Sequence, residues 1–240
     1  MDVLKLNGYS DIFKRPIFVT GLPYGGGNKA AKLIKEMGVW TGRTAQGPRS
    51  NPIDSLENQR LRERLIKPTL KQMGCDPDGL QTLPNPKQRV NLVFPTKEGN
   101  IDLQEKLHRM LEVQEYDHAR CWMYYDTRLA LLWRSFLSSF PDAQWVIVRQ
   151  KEQAYVKSCL ENPQALEISQ KARFWAHLSN VYTARFDLLC ARGKHVHEIQ
   201  LQNIEEGNLS ELKLLSDKIG IQFSPKRSGR ALDPKRWKHS

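Results

Sequence analysis

Hydrophobic positions along the chain fall into short continuous runs separated by longer stretches with helical spacing. The continuous runs are rich in β-branched and aromatic residues, and they predict buried strands near residues 16–20, 121–125, 144–149 and 195–200. The stretches between them repeat apolar residues at helical intervals, which predicts helices with one buried face. Because strands and helices alternate, the pattern predicts an α/β fold with a mostly parallel central sheet in a three-layer α/β/α arrangement.

The helical stretches and the loops between them suggest how the domain is organised. Helices are predicted over about 30–37, 56–73, 129–140, 149–160, 166–192 and 209–220. Two stretches rich in turn-forming residues, 43–55 and 74–88, predict loops over an active face. We therefore expect a single domain over 1–240, with a loop and helical insertion at about 43–118 and a basic C-terminal segment at 224–240.

The composition fits one sizeable soluble domain. Of the 240 residues, 40% are hydrophobic and 9% aromatic, which is enough for a buried core. Apolar runs too short to cross a bilayer and a first segment without a signal-peptide pattern predict a cytoplasmic protein with no membrane partner. The four cysteines form no CxxC pair, and the histidines at 195 and 197 have no further ligands in the sequence pattern, so no disulfide framework or metal site is predicted.

The net charge changes this picture by favouring anionic partners. The chain carries 37 basic and 26 acidic residues, a formal net charge of +11. Residues 226–238 alone contain six of the basic residues and one aspartate. Such an excess favours a nucleotide, a sulfated sugar or, less strongly, a nucleic acid, and the C-terminal run also fits a solvated tail.

The segment GLPYGGGN joins the first predicted strand to the first predicted helix. At a helix N-terminus the unpaired N–H groups and the helix dipole attract anions, and glycine allows an anion to approach the backbone. Gly25, Gly26 and Gly27, followed by Asn28 and Lys29, are therefore candidate anion-binding residues. The alternative is a glycine-rich turn that binds no ligand.

This loop departs from the strict nucleoside-triphosphatase signature GxxxxGK[ST]. Gly21 and Gly26 have the required spacing, but Gly27 and Asn28 stand where the signature has a lysine and a hydroxyl residue. ATP or GTP hydrolysis is therefore disfavoured. A nucleotide kinase is a weaker hypothesis for the same reason, because the hydroxyl that would bind magnesium is missing.

Four further segments follow the loop in a recognisable order. They are NPIDSLE at 51–57, YDTR at 125–128, FPDAQWVIVRQKEQAYVKSCLENP at 140–163 and ALDPKRWKHS at 231–240. Together with the loop they make the chain, over nearly its whole length, similar to the sulfotransferase family and especially to its bacterial branch. The resemblance implies a P-loop-like fold and transfer of sulfuryl from 3′-phosphoadenosine-5′-phosphosulfate to an acceptor hydroxyl or amine. It also implies that the basic C-terminal segment lies near the nucleotide-facing edge.

Within these segments the family pattern is matched at Glu57, Asp126 and Arg128 but not at other charged positions. Tyr24 stands where a loop cation would contact the phosphosulfate, and Tyr125 replaces a lysine. Cations beside the leaving phosphate stabilise the transition state most. We therefore expect the loop amides to bind an anion, while transfer is weak or absent with ordinary acceptors.

The resemblance also implies a site for the 3′-phosphate of the donor, at Arg149 and Ser158. The family spaces an arginine and a serine eight residues apart at this site. Counting back eight residues from Ser158 reaches Gln150, so Arg149 lies one residue too early. Neighbouring side chains of a strand face opposite ways, and Arg149 serves only if the strand ends there.

Transfer to a hydroxyl also requires a general base. Glu57 and Asp54 are the best candidates in the sequence, with His108 and His118 next. The alternative for the two carboxylates is helix capping, because Asp54 precedes Glu57 by three residues as in a capping box.

Two classes of function follow from the sequence. The first is a divergent sulfotransferase that uses 3′-phosphoadenosine-5′-phosphosulfate or a related anionic nucleotide as donor, with an acceptor that the sequence does not identify. The second is a catalytically impaired descendant in which the fold and the basic surface bind an anion, a nucleic acid or a protein.

Overall fold

The computed structural model of the chain describes residue 13 and residues 15–44, 56–88, 90–116, 118–208 and 210–223. The strands are β1 (Ile17–Gly21), β2 (Phe94–Thr96), β3 (Gly99–Ile101), β4 (Met123–Tyr125), β5 (Gln144–Arg149) and β6 (Val196–Gln200). The helices are α1 (Gly27–Glu36), α2 (59–72, with a π-helical turn at Arg62–Ile66), α3 (Leu103–Glu112), α4 (Leu129–Ser139), α5 (Glu152–Glu161), α6 (Pro163–Ile168), α7 (Ala172–Cys190), α8 (Leu201–Glu205) and α9 (Ser210–Ile219). Asp54 and the basic segment 224–240 lie outside the described residues.

The central sheet contains the four strands that the sequence predicts. Its order is β4-β1-β5-β6, and each neighbouring pair is parallel. A separate antiparallel hairpin pairs β2 with β3. The predicted mostly parallel sheet is therefore confirmed, and the carboxyl ends of its strands meet at one edge.

Helices cover both faces of this sheet because its strands are apolar on both sides. Phe18, Trp145 and Ile147 point into a core that they share with α4 and α7. Ile17 and Val146 point the opposite way, into a second core with α1 and α9. Fully burying a large apolar side chain contributes roughly 1.5–3 kcal/mol. The two cores make the three-layer α/β/α arrangement that the alternating pattern predicts.

One predicted helix is broken in the structure. The sequence predicts a helix over 166–192, whereas the chain forms α6 and then α7. Asn162 caps α6 by accepting hydrogen bonds from the N–H groups of Gln164 and Ala165. Ser169 then adopts an extended backbone, and its carbonyl accepts a hydrogen bond from the Trp175 indole. This hydrogen bond joins residues only six positions apart, but the spacing of apolar residues on which the prediction depends carries no sign of it.

The segment between α2 and β4 contains the β2–β3 hairpin and helix α3, where the sequence predicts an insertion of loops and helix. Asp102 caps α3 by accepting a hydrogen bond from the Glu105 N–H at 2.9 Å. Along the described stretches of the chain, none of the helices has both the length and the apolar character needed to span a bilayer.

Candidate functional site

A cavity of about 480 Å³ lies at the carboxyl edge of the parallel sheet. Its size falls within the range of small-molecule sites, and open α/β sheets bind ligands at this edge. The residues that line it come from the β1–α1 loop, α1, the segment before α2, the end of β4, α5 and α8. They include Tyr24, Gly25, Gly26, Asn28, Lys29, Lys32, Lys35, Glu36, Glu57, Tyr125, Gln150, Ser158, Leu201 and Glu205.

The glycine loop reaches this cavity as a tight turn at the start of α1. The Gly25 N–H donates to the Leu22 carbonyl at 2.9 Å, and Gly26 has a left-handed φ of 68°. Helix α1 has ten residues, no acidic residue in its first turn and no side-chain cap. Among the described residues, the N–H groups of Gly26 and Gly27 have no hydrogen-bond acceptor. They form an amide nest at the positive end of a helix dipole.

The three glycines also make room for neighbouring side chains. A Cβ on Gly26 would lie 2.8 Å from Leu201 Cδ2, and one on Gly27 would lie 3.1 Å from the Tyr125 hydroxyl. A Cβ on Gly25 would lie 3.2 Å from Gln150 Oε1. Close packing inside the protein therefore gives an independent reason for glycine at these positions.

Tyr125 presents a neutral hydroxyl where the sulfotransferase pattern has a lysine. The side chain is buried beside the loop, and burial, Glu57 and Asp126 all raise its pKa. A backbone hydrogen bond from Asn28 opposes this rise without reversing it. The phenol therefore stays protonated at neutral pH and gives the loop a dipole instead of a positive charge.

The lysine nearest to the loop is already paired with an acid. Lys29 Nζ lies 2.5 Å from Glu205 Oε1, and both side chains are partly exposed. Within the described part of the chain, the charged side chains that line the cavity are three lysines, at 29, 32 and 35, and three glutamates, at 36, 57 and 205. The cavity is therefore nearly balanced in charge although the whole chain carries +11.

Glu57 faces the cavity from a buried network of charges. Its Oε2 accepts hydrogen bonds from Arg128 Nη2 at 2.8 Å and Arg62 Nη1 at 3.3 Å. Arg128 also donates to both carboxylate oxygens of Asp126, at 2.7 and 2.9 Å, and the Tyr124 hydroxyl donates to Asp126 at 2.6 Å. Asp126 is fully buried and Arg128 is 4% exposed.

The environment of Glu57 raises the pKa of its carboxyl group. Burial is the largest cause, the charge of Asp126 adds to it, and Arg128 and Arg62 oppose it. A pKa above the ordinary carboxyl range makes Glu57 a stronger base, and its ionised form still has a cationic partner. The N-cap of α2 is Asn58, whose side chain accepts from the Leu61 N–H, so Glu57 lies before the cap and does not serve as the N3 residue of a capping box.

Arg149 is not among the residues that line the cavity in the described part of the chain. Its guanidinium donates to Asp187 at 2.7 Å, pairs with Glu198 and lies over the Phe186 ring at 5.3 Å. The next residue, Gln150, lines the cavity together with Ser158. Gln150 and Ser158 therefore line the same cavity, whereas Arg149 pairs with residues of α7 and β6.

Gln150 lines the cavity but is not one of the residues that the sequence predicts for the site. Its side-chain oxygen is buried without a hydrogen-bond partner among the described residues. Counting back eight residues from Ser158 reaches Gln150, but the prediction chose Arg149, the adjacent residue, because it carries a positive charge. His108 and His118, the second-choice bases, are not among the residues that line the cavity.

Solved structures with a similar fold include sulfotransferases. The sulfotransferase domain of the Synechococcus olefin synthase matches with a TM-score of 0.56 and 13% identity, covering 97% of this chain and 86% of that one. The sulfotransferase domain of the curacin biosynthetic pathway gives 0.55 and 11%, with 89% and 76% covered. A sulfotransferase from Mycobacterium tuberculosis gives 0.54 and 14%, with 91% and 70% covered.

At the level of sequence, no protein-family model matches the chain, and no curated protein is significantly similar to it. The agreement with known proteins therefore lies in the order and packing of the elements. It confirms the resemblance inferred from the sequence motifs at the level of the fold: the chain has the α/β fold of bacterial sulfotransferases.

Proposed function

We propose that the protein binds a donor of the 3′-phosphoadenosine-5′-phosphosulfate type in the cavity and transfers its sulfuryl group slowly to an acceptor hydroxyl or amine. One observation carries this proposal. Gly25 and Gly26 of the glycine loop and the side chain of Glu57 line the same cavity at the carboxyl edge of the sheet, and Gly27 follows as the first residue of α1. An anion-binding element and a candidate base around one volume support nucleotide binding and transfer.

The donor is held mainly by backbone groups. Its phosphosulfate lies at Gly25–Lys29, where the loop amides and the helix dipole favour negative charge. Its second phosphate lies near Ser158 and Gln150, and rotation of the Gln150 amide presents two N–H donors to it. In this arrangement Arg149 keeps its partners Asp187 and Glu198.

In the proposed reaction the acceptor oxygen or nitrogen attacks the sulfur, and the bond between sulfur and the bridging phosphate oxygen breaks. The acceptor proton moves to the carboxylate of Glu57. The products are a sulfated acceptor and adenosine 3′,5′-bisphosphate. Turnover is slow because Tyr125 offers a neutral hydrogen bond to the loop and Lys29 is paired with Glu205. Replacing one charge-assisted hydrogen bond by a neutral one costs about 1–1.5 kcal/mol, or roughly tenfold in rate.

Calorimetric titration with adenosine 3′,5′-bisphosphate tests the binding part of the proposal. Gly26→Ala strains a residue with a φ of 68° and puts a Cβ against Leu201, so it distorts the nest. Gly38→Ala is the matched control, because Gly38 ends the same helical segment with a φ of 94° and has open space around it. We expect Gly26→Ala to weaken binding by at least about tenfold, since a hydrogen bond to a charged group contributes about 1.5–3 kcal/mol. No heat with the wild type at millimolar nucleotide contradicts the proposal.

The balanced charge of the cavity favours a second candidate, a nucleotide-binding protein without catalysis. Three glutamates offset the three lysines of the lining. The cavity lining then gives little electrostatic stabilisation to the negative charge that develops on the leaving phosphate. Binding of the bisphosphate without any turnover of the phosphosulfate donor, over a panel of phenols, alcohols and amines, selects this second function.

A further inference from the structure

A cluster of metal-ligating side chains lies outside the cavity, at the turn between α3 and β4. His108 and Glu112 are one helical turn apart on α3, and His118 follows in the turn. Their potential ligand atoms all lie within 4.8 Å of one another. Within the ranges that the structure describes, this is the one group of three His, Cys, Asp or Glu side chains so placed.

We propose that His108, Glu112 and His118 bind a divalent transition-metal ion, with Zn²⁺ as the natural occupant. Two imidazoles and one carboxylate form a donor set that Zn²⁺ uses when it keeps a fourth position for water. Donor atoms about 2.0–2.2 Å from a tetrahedral Zn²⁺ are roughly 3.3–3.6 Å from one another. The widest separation in the cluster therefore needs to contract by at most about 1.5 Å on metal binding.

The positions of the three side chains support chelation. His108 Nδ1 and Glu112 Oε2 are already 3.5 Å apart, and the rings of His108 and His118 have centroids 5.0 Å apart. In the described part of the chain, Glu112 forms an ion pair with His108 and with no lysine or arginine. The carboxylate therefore has no competing lysine or arginine from the described residues.

The backbone and the neighbouring packing define where two of the three side chains stand. His118 has a left-handed φ of 54°, which costs energy for a residue other than glycine and persists where the surroundings enforce it. Edge-on packing of buried Phe13, 5.1 Å away, fixes the His108 ring.

The site is separate from the cavity. His118 lies before the first residue of β4, whereas Tyr125 at the end of the same strand lines the cavity. A metal here links α3 to the segment that leads into the central sheet. Its expected effect is therefore on the stability of the fold, and nucleotide binding is independent of it.

Zinc titration of the full chain, prepared without a histidine tag, tests the proposal. We expect one Zn²⁺ per chain by calorimetry, and a rise in the unfolding temperature because the metal binds the folded state. The Co²⁺ form gives the visible absorption of a low-coordinate site without a thiolate charge-transfer band. Absence of saturable Zn²⁺ binding at millimolar metal overturns the proposal.

Three substitutions and two controls locate the ligands. Glu112 is exposed, and Glu112→Gln keeps its shape. His118→Asn places a residue that tolerates a left-handed backbone, so both variants are expected to fold. His108→Gln is the third substitution. Each should weaken Zn²⁺ binding by at least about 100-fold, more than loss of an outer-shell partner. His177→Asn, at an exposed position on α7, and Cys121→Ser should bind as the wild type does. Unchanged Zn²⁺ affinity in Glu112→Gln and His118→Asn, or lost affinity in Cys121→Ser, contradicts the assignment.

Discussion

The two walls of the cavity differ in how their charges are held. Behind one wall, Glu57 joins Arg128 and Asp126 in a buried network that matches the sulfotransferase pattern. On the other wall the glycine loop has the geometry of an anion site but carries Tyr24 and, facing it, Tyr125 where that pattern has cations. The charged residues that match the pattern are thus the buried ones, and we expect the stability of the fold to depend on them.

This difference has a physical cause. Removing one member of a buried charge network leaves an uncompensated charge in the protein interior, so folding alone maintains the network. A cation on a solvent-facing loop stabilises a bound ligand and contributes little to folding. The presence of Arg128 and Asp126 is therefore explained by folding and is weak evidence for activity, whereas cations on the loop would serve only the bound ligand.

Arg128→Ala gives the largest expected effect, because it tests whether folding maintains the network. It leaves Asp126 and Glu57 without their main cation, and we expect the free energy of unfolding to fall by about 3–5 kcal/mol. Urea denaturation measures the change. Lys194→Ala is the control, because its pair with Asp142 is exposed and should contribute only about 0–1 kcal/mol. Equal losses in the two variants would show that the network is not a folding element.

Glu57→Gln separates catalysis from folding on the same wall. The substitution keeps the shape and removes the base, so any sulfuryl transfer by the wild type should fall by about 10²- to 10⁴-fold. Affinity for adenosine 3′,5′-bisphosphate, measured in parallel, should stay the same or rise slightly because a negative charge is lost. A variant that turns over the donor as fast as the wild type removes Glu57 from the mechanism.

Glu205→Gln sharpens the account of the other wall. Releasing Lys29 from its partner should tighten binding of adenosine 3′,5′-bisphosphate by about 1.4- to fivefold, since exposed ion pairs contribute about 0.2–1 kcal/mol. Glu36→Gln removes the same charge from the cavity lining and leaves the Lys29 pair intact. A gain of the same size in both variants attributes the effect to net charge alone.

The pH dependence of stability gives the smallest effect. The pKa of Glu57 is raised in the folded state, so the folded protein binds this proton more tightly than the unfolded chain does. The stabilisation is complete below the ordinary carboxyl pKa and is lost as pH rises through the raised value. The free energy of unfolding of the wild type, measured relative to that of Glu57→Gln, should therefore decrease as pH rises over this window. A difference independent of pH contradicts the raised pKa.

The sequence could predict those parts of the structure that depend on local patterns. Runs such as WVIV in β5 and the helical spacing of α1 report local geometry, and both elements form where the pattern puts them. The glycine loop was also predictable, because its position between a strand and a helix is a local feature.

Contacts between distant segments could not be obtained in this way. The Lys29–Glu205 pair joins residues 176 positions apart, and the pairing of Arg149 with Asp187 and Glu198 depends on how α7 and β6 pack. Arg149 and Gln150 are adjacent at the end of a strand, so a one-residue difference decides which of them lines the cavity.

The most direct test of the central claim observes the loop amides themselves. In ¹H–¹⁵N correlation spectra, titration with adenosine 3′,5′-bisphosphate should shift the amide signals of Gly26 and Gly27 strongly, because these N–H groups gain a phosphate or sulfate acceptor. The amides of Gly38 and Gly74, which lie at other turns, should move little. Saturable binding that leaves the Gly26 and Gly27 signals in place, or no binding at millimolar nucleotide, would contradict the account.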